Sequence, residues 1–209
     1  MRQVLADLWE TGTDSPFPGL TTHAYLWTPS NALFYSMAGD VDFEAIADLG
    51  GFADQYLSHR DEAGPLIKRI ADRFGARLHA PVAELLEIGQ HAHVDVPLGS
   101  RHVDANGVEV IPTPGHSPGS VCYQVGGEEG TYLFTGATLH VSDVGEWAAG
   151  FIPGISDADA LASSLDVLAT LEPAVVISSA FQGDTAVHRI DAGSWPGHVE
   201  QALHRLSPV

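Results

Sequence analysis

The stretch "YLSHRDEAG" (56–64) carries a histidine at position 59 and carboxylates at 61 and 62. Imidazole nitrogens and carboxylate oxygens are ligands for zinc, iron and manganese. A second histidine, His116, lies in "IPTPGHSPGSVCY" (111–123), a turn whose prolines and glycines set the backbone path. His59, Asp61 and His116 thus lie on two separate loops. Where the first loop would offer two more donors it has Ala63 and Gly64. Plainer roles exist for the same residues. Asp61 and Glu62 precede a helix, where the dipole favours negative charge, and His116 could hold its turn by a hydrogen bond to the main chain.

Other groups have weaker patterns. His140, Asp143, Asp184 and His188 are possible substitute ligands, but eleven histidines in 209 residues make chance candidates easy to find. "QHAH" (90–93) places two histidines on one face if it is a strand, and without a third partner it reads as a polar edge. Cys122 is the only cysteine, which excludes an internal disulfide and a cysteine metal cluster. It alternates with Val121 and Tyr123 in an apolar run, the setting of a small packed hydrophobe. Trp9, Trp27, Trp147 and Trp195 read as core or pocket wall. Neither "GAT" nor "GGEEG" is a phosphate loop, since no lysine follows and no helix opens there.

The elements that must position these residues alternate between strand and helix. Strands are expected at 23–28 and 31–37, with a turn at Pro29 and Ser30. Asp42 is placed to cap a short helix ending at Gly50 and Gly51. A strand over 54–59 leads into the first loop. Leu66, Ile67, Ile70, Ala71 and Phe74 then mark a helix over 64–74, closed by Gly75. A strand at 76–80 and a helix opening at Pro81 follow. Strands are expected at 108–113, 120–125 and 131–136, the last two as a hairpin. A helix runs from Ser156 or Asp157 to Leu171, a buried strand covers 173–179, and a helix covers 197–206. The order gives an α/β (α+β) chain in two similar halves, read as one domain over 1–209.

Three segments in this order resemble the metallo-β-lactamase superfamily. They are "HRDEAG", "TPGHSPGS" and "TGATL" (135–139), and the second is the most specific. The resemblance, over roughly residues 20–180, implies a four-layer αββα sandwich with metals at one sheet edge. Carried over by position, it assigns His59, Asp61 and His116 to the first metal. It gives the second metal Ala63 and Gly64, puts Ala137 where a bridging aspartate belongs, and matches the final histidine to Ala180. The expectation is none or one divalent metal, zinc, iron or manganese, at partial occupancy. The protein is then a binding protein or pseudoenzyme with little or no dinuclear hydrolase activity. The alternative is a mononuclear hydrolase of a small ester, thioester or lactone.

The net charge of −18, from 9 basic and 27 acidic residues, argues against nucleic acid and acidic lipid surfaces as partners. A small-molecule ligand fits better. The first residues lack the apolar core of a signal peptide, so a cytoplasmic location is expected. The sequence leaves the oligomeric state open.

Overall fold

Side chains on a strand point alternately to two faces, and here both faces of both main sheets are apolar. In "TYLFTG", Tyr132 and Phe134 turn to one side and Leu133 to the other. In "VVIS", Val175 and Ile177 oppose Val176. A sheet with two apolar faces needs a layer on each side.

The computed structural model, which describes residues 1–206, supplies those layers. The strands of the first half are β1 (Arg2–Leu5), β2 (Leu8–Glu10), β3 (Asp14–Phe17), β4 (Leu20–Thr22), β5 (Tyr25–Trp27), β6 (Ala32–Phe34), β7 (Asp54–Tyr56), β8 (Arg77–Pro81) and β9 (Val96–Leu98). Those of the second half are β10 (His102–Val103), β11 (Glu109–Pro112), β12 (Val121–Gly127), β13 (Gly130–Gly136), β14 (Leu139–Val141), β15 (Trp147–Ala149), β16 (Val175–Ser178), β17 (Ala180–Phe181) and β18 (Val187–Arg189). The helices are α1 (Phe43–Asp48), α2 (Pro65–Phe74), α3 (Leu85–Ile88), α4 (Ala158–Ala169) and α5 (Trp195–Leu206).

One sheet has the order β1-β2-β5-β6-β7-β8-β9 and the other β10-β11-β12-β13-β16-β18. Small sheets form from β14-β15 and from β17-β4-β3. Between the main sheets lie Tyr25, Phe34, Tyr56, Tyr123, Tyr132, Phe134 and Ile177, all buried. Phe34 stacks on Phe134 with ring centroids 3.9 Å apart. Burying such a ring contributes about 1.5–3 kcal/mol. Outside the first sheet, Leu26 and Leu33 pack with Phe43 and Ile46 of α1 and Ile70 of α2. Outside the second, Cys122, Leu133 and Val176 pack with Leu165 and Leu168 of α4 and Trp195 and Val199 of α5. The result is the expected αββα sandwich.

Most elements fall where the sequence places them. The hairpin of β12 and β13 pairs Gly127 with Gly130. Asp157 caps α4, its carboxylate accepting the amide of Ala160 at 3.0 Å. Gly64 and Gly75 flank α2, and Gly75 takes the left-handed conformation (φ 66°) that stops a helix.

Other readings need correction. "QHAH" is a turn after α3, not a strand. Pro81 ends β8, and the expected helix is a 3₁₀ turn (Val82–Glu84) followed by the single turn of α3. The strand over 54–59 stops at Tyr56. Asp42 precedes α1 but does not cap it. Its carboxylate accepts the Met1 amino group at 2.8 Å and the amide of Gly12. Strands β1 to β4 were not expected at all: at three or four residues each they carry little alternation. Among the described residues no helix is long and apolar enough to cross a membrane.

Cys122 is fully buried on the helix-facing side of β12, and burial pushes its thiol up to about 12. Thiol titration of the native protein should show no labelling until denaturant is added. Rapid labelling without denaturant would contradict this packing.

Candidate metal centre

Beyond Tyr56 the chain leaves the first sheet through Leu57 and Ser58, both buried. His59 is extended (φ −165°, ψ 171°), and a 3₁₀ turn over Arg60–Glu62 follows. The turn carries the chain from a buried histidine to a half-exposed aspartate within two residues. His116 comes from the other sheet. The turn between β11 and β12 is closed by the amide of Thr113 on the carbonyl of Ser120 at 2.8 Å and that of Gly115 on Ser117 at 3.0 Å. Gly115 (φ 137°) lies against the backbone of Leu161, where a Cβ would have no room. That is the physical reason for a glycine beside this histidine.

The two loops meet at the sheet edge. The Nε2 atoms of His59 and His116 lie 3.9 Å and 3.8 Å from the same Asp61 oxygen, Oδ2. Donor atoms of the three residues all fall within 4.8 Å of one another, so the group could hold a metal ion. The imidazoles are buried and nearly perpendicular (87°), with centroids 4.8 Å apart. The spacing exceeds a hydrogen bond. It also exceeds the donor separation of about 3.3 Å implied by tetrahedral zinc with bonds near 2 Å. An ion would have to draw the donors inward.

The remote ring nitrogens are already engaged. His116 Nδ1 lies 2.6 Å from the carbonyl oxygen of Gly150. A carbonyl only accepts, so Nδ1 carries the proton and the lone pair is left on Nε2, facing Asp61. His59 Nδ1 lies 2.9 Å from Ser58 Oγ and 3.4 Å from Glu62 Oε1. Ser58 Oγ donates to Glu62, which makes it an acceptor toward His59. Both rings thus present Nε2 to one point. Such partners orient metal-ligating histidines in general.

Electrostatics follow from the same contacts. Burial opposes charge on His59, but the Glu62 carboxylate, then Asp61 and Glu84, outweigh it and raise its pKa. Asp61 is held below the usual carboxylate range by His116 and, with burial opposing, by the charges of His59 and Arg60.

The substitute candidates are not drawn into this group. His140 sits in β14 opposite Ala148, and burial, with the charge of His116, pushes it down to about 4. Asp143 is exposed in the following turn. Asp184 is exposed and lines a hollow with Arg2, Glu10 and His23. His188 lies in β18 with its ring 5.5 Å from Trp147 and its Nε2 buried without a partner. Ala63 packs against the cluster of Leu57, Ile67 and Leu78, Gly64 precedes α2, and Ala180 pairs with Thr22 in β17.

Sequence reasoning missed the supporting residues. The sequence marks Glu62 only as a carboxylate near a helix start, yet it accepts the Ser58 amide at 2.7 Å as well as the hydroxyl. Glu84 is fully buried and bonds to both loops. Nothing in "PVAELLE" marks it. The segment 150–157 is pinned to the His116 turn at both ends. Besides the Gly150 contact, Ser156 Oγ donates to the His116 carbonyl at 2.8 Å and the Asp157 amide to that of Gly115 at 2.8 Å.

Comparison with known proteins agrees with this fold. Residues 50–180 match the sequence model of the metallo-beta-lactamase superfamily. No curated protein matches. Among solved structures, a metallo-beta-lactamase from Pontibacter korlensis superposes with a TM-score of 0.73 at 15% identity, covering 98% of this chain and 96% of that one. One from Hirschia baltica gives 0.73 at 16%, covering 99% and 97%. A metallo-beta-lactamase family protein from Thermus thermophilus gives 0.65 at 18%, covering 97% and 80%. At these identities the likeness is one of fold.

The raised pKa of His59 has a definite sign in pH experiments. In the metal-free protein its protonation stabilises the fold below the unfolded-state pKa, and that contribution is lost as pH rises through the higher folded-state value. An ion competes with this proton. Zinc affinity measured by calorimetry should therefore rise steeply with pH up to the raised His59 pKa and flatten above it. Affinity independent of pH between 5 and 8 would contradict the assignment of His59.

Proposed function

The chain belongs to the metallo-beta-lactamase superfamily, and from that premise we propose that it holds one divalent cation between His59, Asp61 and His116 and has lost dinuclear hydrolysis. The observation that carries this reading is the convergence of two Nε2 lone pairs on one carboxylate, with both Nδ1 atoms engaged elsewhere. Ala63, Gly64 and Ala137 stand where the resemblance puts donors for a second ion and a bridge, and none has a donor side chain. A histidine–histidine–carboxylate set suits zinc, iron or manganese. Three donors spaced more widely than a tetrahedral site predict weak binding and partial occupancy.

An ion held here supplies Lewis acidity toward a carbonyl or carboxylate oxygen. The chain's own residues bind and orient. Glu62 and Gly150 fix the imidazoles, and half-exposed Asp61 leaves the site open to solvent. Ala137 has no side-chain oxygen with which to orient an attacking water. The protein is thus best read as a metal-dependent binder of a small molecule, or pseudoenzyme. The surface, at net charge −18, disfavours nucleic acid and acidic lipid. A second reading, a mononuclear hydrolase of a small ester, thioester or lactone, is favoured by the open side at Asp61.

His116→Ala removes one of three donors and should abolish zinc or manganese binding in calorimetry while the protein stays folded. Hydrolysis of generic esters, thioesters and β-lactams by the parent protein should be near background. Metal-dependent turnover well above background, lost in His116→Ala, would replace the first reading with the second.

A further inference from the structure

We propose that Glu84 is a positioning residue of the metal centre, a buried carboxylate that ties the His59 loop to the His116 turn and so sets the distance between the two imidazoles. This rests on the one-ion reading above. Glu84 ends the 3₁₀ turn after β8 and has no exposed surface. Its Oε2 accepts the amide of Arg60, the residue after His59, at 2.6 Å. Its Oε1 accepts the amide of Gly119, three residues after His116, at 3.1 Å. One side chain therefore bonds to the main chain of both ligand loops.

The fit is close. A Cβ at Gly119 would stand 2.7 Å from Glu84 Cγ and 3.0 Å from Cδ. The glycine after "HSP" is thus explained by the carboxylate it accommodates, not by its backbone angles. A carboxylate accepting main-chain N–H groups makes charge-assisted bonds, which are short and strong. Neither loop is otherwise fixed to the other through the side chains of His59 and His116, whose polar contacts run to Ser58 and Glu62 and to Gly150. Losing the Glu84 tie would let the imidazoles separate. Outer partners of this kind typically change metal affinity 10–100-fold.

Glu84→Gln keeps the size but replaces one acceptor by an amide group facing an N–H donor, so one of the two ties is lost. Zinc affinity by calorimetry should fall about tenfold, and the visible spectrum of the cobalt-substituted protein should change in intensity. In the metal-free protein, the amides of Arg60 and Gly119 should exchange hydrogen faster. Glu87→Gln, which removes only the carboxylate that meets the Arg60 side chain at 3.3 Å, should leave affinity unchanged. If Glu84→Gln does not fold, Gly119→Ala pushes on the same carboxylate from the other side and should weaken zinc binding likewise. A lower melting temperature with zinc affinity within twofold of the parent would reduce Glu84 to a structural residue and overturn the proposal. If the parent binds no zinc, the one-ion reading fails. The tie itself is then judged by amide exchange, and unchanged exchange at Arg60 and Gly119 overturns it.

Discussion

The carbonyl oxygen of Ser58 accepts the amide of Val121 at 2.9 Å, and the metal edge is arranged around that bond. Ser58 belongs to the first sheet's loop and Val121 to the start of a strand in the second. Their bond joins the main chains of two sheets that side-chain packing and further hydrogen bonds also hold together. Around it, the Tyr123 hydroxyl donates to the carbonyl of Leu57, and Gly136 (φ 57°) leaves room for the Ser58 side chain. The Tyr35 hydroxyl donates to the Ile177 carbonyl and accepts from the Gly136 amide. Each such bond contributes about 0.5–1.5 kcal/mol net, but leaving a buried partner unsatisfied costs about 1–3 kcal/mol. The edge is thus fixed by main-chain groups that need partners, and on that frame Glu84 bonds to the main chain of both ligand loops.

The frame does not depend on the candidate ligands. The sheet core and both outer layers are made by Phe34, Phe134, Leu165, Ile70 and their neighbours, far more apolar surface than three ligands contribute. Ala63 is part of the apolar packing beneath α2. The carbonyl oxygen of Ala137 lies so close to Gly150 that a side chain there would collide with it. Gly150 is in turn the residue whose carbonyl orients His116. At the edge stand a pair of oriented imidazoles, one exposed carboxylate, and the acids Glu62 and Glu84 that hold their loops.

Much of this was legible in the sequence. Alternation in "TYLFTG" and "VVISS", the helical spacing of Leu161, Leu165 and Leu168, and the turn around His116 each reflect a local constraint, while the four layers and the three candidate ligands came from the family resemblance that "HRDEAG", "TPGHSPGS" and "TGATL" carry. Short strands were not legible, since three residues such as "LWE" hold too little pattern. Asp42 looked like a cap because its neighbours are local, whereas its actual partners, Met1 and Gly12, are 41 and 30 residues away. Glu84 was invisible for the same reason. Its bonds reach 24 and 35 residues along the chain, and nothing in its local sequence distinguishes a buried acid from a solvated one.

On the reading proposed above, one ion, at most, is held between His59, Asp61 and His116. Elemental analysis of protein purified without chelator tests it most directly, read as metal atoms per chain. A value between zero and one is expected, falling to zero in an Asp61→Ala, His116→Ala double variant. Two tightly bound ions per chain would contradict it, and would mean that donors such as His140 or Asp184 complete a second site.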